Sequence, residues 1–143
     1  MTDELDQKIL DALQLDARVS VSQLARRMKV ARTTIQTRID RMEATGVILG
    51  YSVRLGRAAG PRMIRAIVLV QVETRATPTV LHRLKSMPAV ELAFTTSGRF
   101  DLVLQLAATT TEALDVALDH IGEAKGVKSS ESLIQLTTKI DRR

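Results

Sequence analysis

The sequence predicts an α+β chain of two small domains: a helical unit over residues 1–50, a hinge strand and linker over 51–62, and a mixed unit over 63–143. Two observations carry this. Up to Gly46 the apolar residues recur at spacings of three and four, the period of a helix. From Met63 onward they recur at two, the period of a strand. Between them lies Gly56-Arg57-Ala58-Ala59-Gly60-Pro61, whose small residues and proline suit a linker. The 143 residues suffice for two such units.

The first helix is capped by Thr2 or Asp3, and Leu5, Ile9, Leu10 and Leu13 form its apolar face. Glu4, Asp6, Asp11 and Asp16 are expected on its outer side, turned away from any polyanion. Ser20 followed by Gln23 has the pattern of a capping box and starts a second helix. Its Leu24, Ala25 and Met28 share one face, and the small Ala25 allows a close helix crossing. Val30 lies in the turn. Ile35, Ile39 and Met42 form the apolar stripe of a third helix over 32–45, which Gly46 ends. Residues 47–55 then turn extended, with Tyr51 and Val53 on one side and Ser52 and Arg54 on the other.

Residues 21–42 therefore read as two short helices joined by a tight turn, the shape of a helix-turn-helix whose second helix lies in the DNA major groove. From Arg18 to Arg41 there are seven Lys or Arg (18, 26, 27, 29, 32, 38 and 41) and one acid, Asp40. The candidate DNA contacts are Arg32, Thr33, Thr34, Gln36, Thr37, Arg38 and Arg41. Arg32, Thr33 and Thr34 stand near the helix start, where phosphates or the first bases are met. Gln36 and Thr37 are the best base readers, since glutamine matches an adenine edge and threonine a thymine methyl. Arg38 and Arg41 suit either task.

Composition agrees. The chain carries 21 Lys or Arg against 16 Asp or Glu, a formal charge of +5. Nine basic and seven acidic residues fall in 1–55, twelve and nine in 56–143. The positive charge is thus a local concentration on the helix pair rather than a basic tail. With no cysteine there is no disulfide, thiolate nucleophile or cysteine metal site, which fits a reducing cytoplasm. His82 and His120 lie far apart on expected helices and read as ordinary side chains. No secretory leader is expected, since residues 4–16 alternate acids with apolar residues. No apolar run nears the roughly 20 residues that span a bilayer, so no membrane partner is expected. The chain lacks a phosphate loop, a metal-ligand cluster and a marked carboxylate pair; neither cofactor nor enzymatic activity is expected.

In the second unit, residues 63–74 are rich in Ile and Val, as a strand is. Thr77-Pro78 opens a helix, with Thr77 as cap and Val80, Leu81, Leu84 and Met87 inward; Pro88 stops it. Residues 89–96 alternate, with Val90, Leu92 and Phe94 expected on one face. Ser97-Gly98-Arg99 turns the chain into a strand over 100–108, with Leu102, Leu104 and Leu106 in step. Thr111 and Glu112 start a helix lined by Leu114, Ala117, Leu118 and Ile121. Residues 127–140 form a last strand. Strand, helix, strand, strand, helix, strand is the split βαβ, ferredoxin-like order. The first strand is apolar on both faces, with Ile64, Val68, Val70 and Val72 opposite Ile67 and Leu69; the strand from Phe100 adds Val103 and Ala107. Two helices cover one face of such a sheet, so a second copy is expected to cover the other, giving a homodimer.

Read in order, the motifs resemble the Lrp/AsnC, or feast/famine, family of regulators. Leu5-Asp6 with Ile9-Leu10 matches the family's opening helix. Leu24-Ala25-Arg26-Arg27 with Val30 matches its second helix and turn. Thr34-Ile35, Arg38 to Glu43, Gly46-Val47-Ile48 and Gly50-Tyr51 match the recognition helix and hinge. Ser97-Gly98-Arg99-Phe100-Asp101 matches the S-G-x-x-D signature, and Gly126-Val127 the pair before the last strand. Two positions depart from the pattern: Lys29 stands where glycine is usual, which implies a left-handed backbone cost, and Ala31 stands where a serine cap is common.

The resemblance implies a transcription regulator that reads DNA with helix 32–45 and binds a small effector, an amino acid, at contacts between dimers that assemble to an octamer. Ser97, Gly98, Arg99, Phe100 and Asp101 would form one side of that pocket. Gly98 lets backbone amides approach a carboxylate, and Asp101 either holds an ammonium group or caps the turn. Glu131, Ser132 and Gln135 would complete the pocket from a neighbour. Two other classes compete on the residues alone: an architectural protein that coats DNA without sequence preference, and an enzyme or an enzyme-regulating amino-acid sensor, for which the residues offer no convincing catalytic set.

Overall fold

The computed structural model describes residues 1–56 and 59–140; Arg57 and Ala58 of the expected linker, and 141–143, lie outside the described residues. The chain divides into two compact units, Met1–Arg54 and Leu55–Arg143.

The first unit holds α1 (Glu4–Leu15), α2 (Val21–Met28) and α3 (Arg32–Ala44). Asp3 caps α1, and Ser20 caps α2 in a reciprocal box with Gln23. Lys29 follows α2 in the left-handed region, at φ 56° and ψ 43°, so the sharp turn is made at the backbone cost its side chain implies. Ala31 precedes α3 without a side-chain cap. Ile9, Val19, Leu24, Ala25, Ile35, Ile39 and Met42 form the core. One residue departs from expectation. Asp6, expected outside, is fully buried, because it shares the stripe of Ile9, Leu10 and Leu13 and finds cations on α3. The expected hinge strand is likewise not formed: 47–56 is without strand structure, since nothing among the described residues pairs with it.

The second unit holds β1 (Ile64–Val72), α4 (Thr77–Lys85), β2 (Val90–Thr95), β3 (Leu102–Ala108), α5 (Thr111–Gly122) and β4 (Val127–Ile134). The sheet order is β2-β3-β1-β4, with every neighbouring pair antiparallel. Ala66, Val68, Val70, Leu102, Leu104 and Leu106 pack with Val80, Leu84, Leu114, Ala117 and Ile121 in one core. Three expectations are revised. Ala76, not Thr77, occupies the cap position of α4, which places Pro78 second in the helix. The last strand ends at Ile134 rather than 140. In β2 the pairing register shifts between Val90 and Leu92, so Val90 and Ala93 join the core while Leu92 and Phe94 turn to the opposite face.

That opposite face has no helix on it. Ile67, Leu69 and Val103 are half-buried there, and Leu92, Phe94 and Leu133 are exposed. Gly126 closes the other side. Its φ is +94°, and a Cβ there would stand 2.7 Å from Ala76 Cβ and 3.2 Å from Val80 Cγ2. Both the backbone and the packing of α4 thus require glycine. Gly126→Ala is expected to destabilise the second unit by about 2 kcal/mol, the sum of modest strain and overpacking. Urea denaturation of the parent and variant measures it; equal midpoints would show that the turn relaxes freely.

Candidate nucleic-acid interface

The buried stripe of α3 is Ile35, Ile39 and Met42. At 3.6 residues per turn, Thr33, Thr37, Asp40 and Ala44 lie diametrically opposite, and all four are exposed. Gln36 and Arg32 flank this line on one side, Thr34, Arg38 and Arg41 on the other. Thr33, Thr34, Thr37, Arg38 and Arg41 line a hollow of about 330 Å³ along that second flank.

The seven candidate contacts are therefore on one helix, but they are not equally free. Arg38 Nη1 pairs with the Asp3 carboxylate and lies 3.1 Å from Asp6 Oδ1; Arg41 pairs with Asp6 Oδ2. Asp6 and Asp3 also exchange backbone-to-carboxylate hydrogen bonds at 2.9 and 3.0 Å. Two carboxylates and two guanidiniums thus form a neutral cluster that ties the start of α1 to one flank of α3. The Arg38 guanidinium and the Asp6 amide hold the Asp3 carboxyl down to about 2, from an ordinary 3.8. The Asp3 amide and the two arginines lower Asp6 as well. Sequence reading placed Asp6 outside and passed over this cluster; its one signal was an acid on the stripe of Ile9, Leu10 and Leu13, where burial demands a cation from another element.

Gln36 also has a partner. Its Nε2 donates to Asp40 Oδ1 at 2.7 Å. Arg18, Arg26, Arg27, Lys29 and Arg32 are exposed and form no ion pair among the described residues. The unneutralised charge therefore gathers on α2, the turn and the start of α3. Behind α3, the Tyr51 hydroxyl donates to Glu43 Oε1 at 2.7 Å. Partial burial and this carboxylate push the phenol up to about 12.

In the second unit, 97–101 joins β2 to β3. Gly98 has φ +111°, and Arg99 lies over the Phe100 ring at 5.2 Å. Thr96 N–H donates to the Asp101 carbonyl, and Thr96 Oγ1 to the Phe100 carbonyl. The Asp101 carboxylate reaches across to β1 and not to an amide of its own turn: its Oδ2 accepts the Val72 amide at 2.9 Å. Gln71 braces the same turn. Its Nε2 donates to the Arg99 carbonyl, and its Oε1 accepts from Ser129 Oγ, both at 2.7 Å. Sequence reading passed over Gln71; its one signal was a polar residue inside an apolar strand.

The candidate residues of β4 do not join this turn within one chain. Glu131 pairs with Leu69 on the open face, whereas Ser132 pairs with Val68 on the helix-covered face. Gln135 N–H bonds the Arg65 carbonyl, while Asp101 N–H bonds that of Val70, five residues along β1 and roughly 17 Å away.

Comparison with known proteins covers both units. Residues 3–43 match the AsnC-type helix-turn-helix domain, and 65–143 match the Lrp/AsnC ligand binding domain. The chain is 30% identical over 137 residues to the transcriptional regulator LysM of Saccharolobus solfataricus, covering 95% of this chain and 94% of that one. The structure of E. coli AsnC superposes with a TM-score of 0.88 at 27% identity, covering 100% and 97%. A feast or famine regulatory protein from M. tuberculosis, complexed with L-methionine, gives 0.85 at 28%, covering 99% and 96%.

Since the folded carboxyl of Asp3 titrates below its ordinary value, its charge stabilises the fold above about pH 4, and that stabilisation is lost as pH falls toward 2. Asp3→Asn keeps the helix cap and removes the charge. Urea unfolding across pH 6 to 2.5 is expected to show a shallower acid loss in the variant; parallel curves would remove the cluster from the stability of this unit.

Proposed function

The chain belongs to the Lrp/AsnC family of transcriptional regulators, and from this premise we propose that it is a sequence-specific regulator that places α3 in the major groove and answers to an amino acid. The observation that carries the reading is the outward line of α3, with its hydroxyl and carboxamide groups exposed beside five unpaired cations. The cations supply affinity through phosphates, and Thr33, Gln36 and Thr37 supply base contacts. Arg38 and Arg41 act mainly as braces, because their charge is spent on Asp3 and Asp6.

The working unit is a homo-oligomer. The uncovered sheet face and the exposed Leu49, Val53 and Leu55 leave apolar area that a second copy would bury. Dimerisation pairs two reading helices with two half-sites. The effector reading rests on the turn at 97–101 and on the methionine carried by the M. tuberculosis relative. Since Glu131, Ser132 and Gln135 stand apart from that turn within one chain, they serve the pocket only across a contact between copies. Such a contact couples effector to assembly, and assembly to DNA, reciprocally. No helix is long and apolar enough to cross a membrane among the described residues.

Gel-shift titration with the DNA upstream of the chain's own gene tests the first part. Arg32→Ala is expected to weaken binding to all sequences and to reduce the salt slope by about 1. Arg41→Ala is expected to change the slope less and to lower thermal stability more. The reverse ranking would return Arg41 to the phosphates.

For assembly, sedimentation at micromolar concentration is expected to give a dimer or larger species, and Leu92→Asp with Phe94→Asp a monomer. A well-folded parent monomer would sink this part. L-Methionine is expected to change melting temperature, oligomer distribution or DNA affinity; no response to any of the twenty amino acids would sink the effector reading.

A further inference from the structure

One acid stands where the reading helix is most exposed. Asp40 shares the outward line with Thr33 and Thr37, and among the described residues no cation pairs with it. Helix stability accounts for little of it: the i,i+4 hydrogen bond from Gln36 is a weak helix-stabilising pair, and Asp40 is too far from the N-terminus of α3 to gain from the macrodipole. Phosphates repel it too, so on DNA a carboxylate there needs a hydrogen-bond donor. In the major groove the donors are the exocyclic amines, N4 of cytosine and N6 of adenine; guanine O6 and N7 and thymine O4 are acceptors.

Gln36 strengthens the point. One N–H of its carboxamide is committed to Asp40 Oδ1 at 2.7 Å, which orients the amide along the helix. The pair then offers the Gln36 Oε1 and the second Asp40 oxygen as acceptors on neighbouring turns. Resting on the reading of α3 as the major-groove helix, the geometry points to Asp40 as a specificity-determining residue. With Gln36 it selects an amino-bearing base edge, cytosine or adenine, at one position of each half-site and repels the keto edges of guanine and thymine. The arginines beyond it on the flank do not neutralise this role, because Arg38 and Arg41 are held by Asp3 and Asp6.

The test is selection from a random duplex library with the full chain, its Asp40→Ala variant and its Asp40→Asn variant. Asp40 is exposed, so folding is expected to survive, and circular dichroism checks it. The parent is expected to select a consensus with one cytosine or adenine per half-site whose preference falls about tenfold in Asp40→Ala. Which of the two bases is selected identifies the amine. Asp40→Asn, which gains a donor, is expected to admit guanine or thymine there. Non-specific affinity is expected to rise in both variants as a negative charge is removed. A consensus unchanged at every position would overturn the role of Asp40 and leave α3 as the reading helix. A parent that selects no consensus would overturn the sequence-specific reading itself.

Discussion

A fully buried carboxylate governs the first unit. Asp6 has no contact with water and is accepted inside only because Arg38, Arg41 and the Asp3 amide surround it. Both arginines come from α3, one turn apart, so the cluster pins one flank of that helix against the start of α1. This sets the roll of α3 about its own axis. The residues left outermost, Thr33, Thr37 and Asp40, are outermost because Ile35, Ile39 and Met42 hold one side and Asp6 holds the neighbouring flank.

The same cluster redistributes charge. Two acids cancel two arginines, so the field of the unit is not spread evenly along α3. It concentrates on Arg26, Arg27, Lys29 and Arg32, at the end of α2, the turn and the start of α3, where the dipole of α3 is also positive. On the proposed function, a polyanion approaching the unit would meet that end first, and the rest of the helix would be left to hydrogen bonds with base edges. Affinity and sequence reading would then fall on different residues of one short motif.

The second unit has a different constraint, an antiparallel sheet with helices on one face. Ala66, Val68, Val70 and the leucines of β3 are sealed by α4 and α5, and Gly126 permits α4 to seat closely. Across the sheet Ile67, Leu69, Val103, Leu92, Phe94 and Leu133 have no cover within the chain. The turn at 97–101 is braced from behind by Gln71 and Asp101, which leaves Gly98 and Arg99 outward. On the proposed function, this turn is one wall of the effector site, and its second wall would come from another copy.

The apolar periodicities by themselves determined the elements, their order and the two cores, since burial at period 3.6 or 2 is a local property of the chain. Ser20 with Gln23 and the alternation of Leu102, Leu104 and Leu106 were readable because they too are local patterns, whereas the left-handed turn at Lys29 was implied by the family resemblance. Tertiary structure decided what depends on residues distant in sequence. Asp6 looked like surface until α3 brought it two guanidiniums. Arg38 and Arg41 looked free until α1 claimed them. Leu92 changed faces because β2 slips its register against β3, and a period-2 pattern carries no mark of where an extra residue is absorbed. The segment 47–56 has the alternation of a strand, but a strand also needs a partner for its backbone, and none of the described residues supplies one.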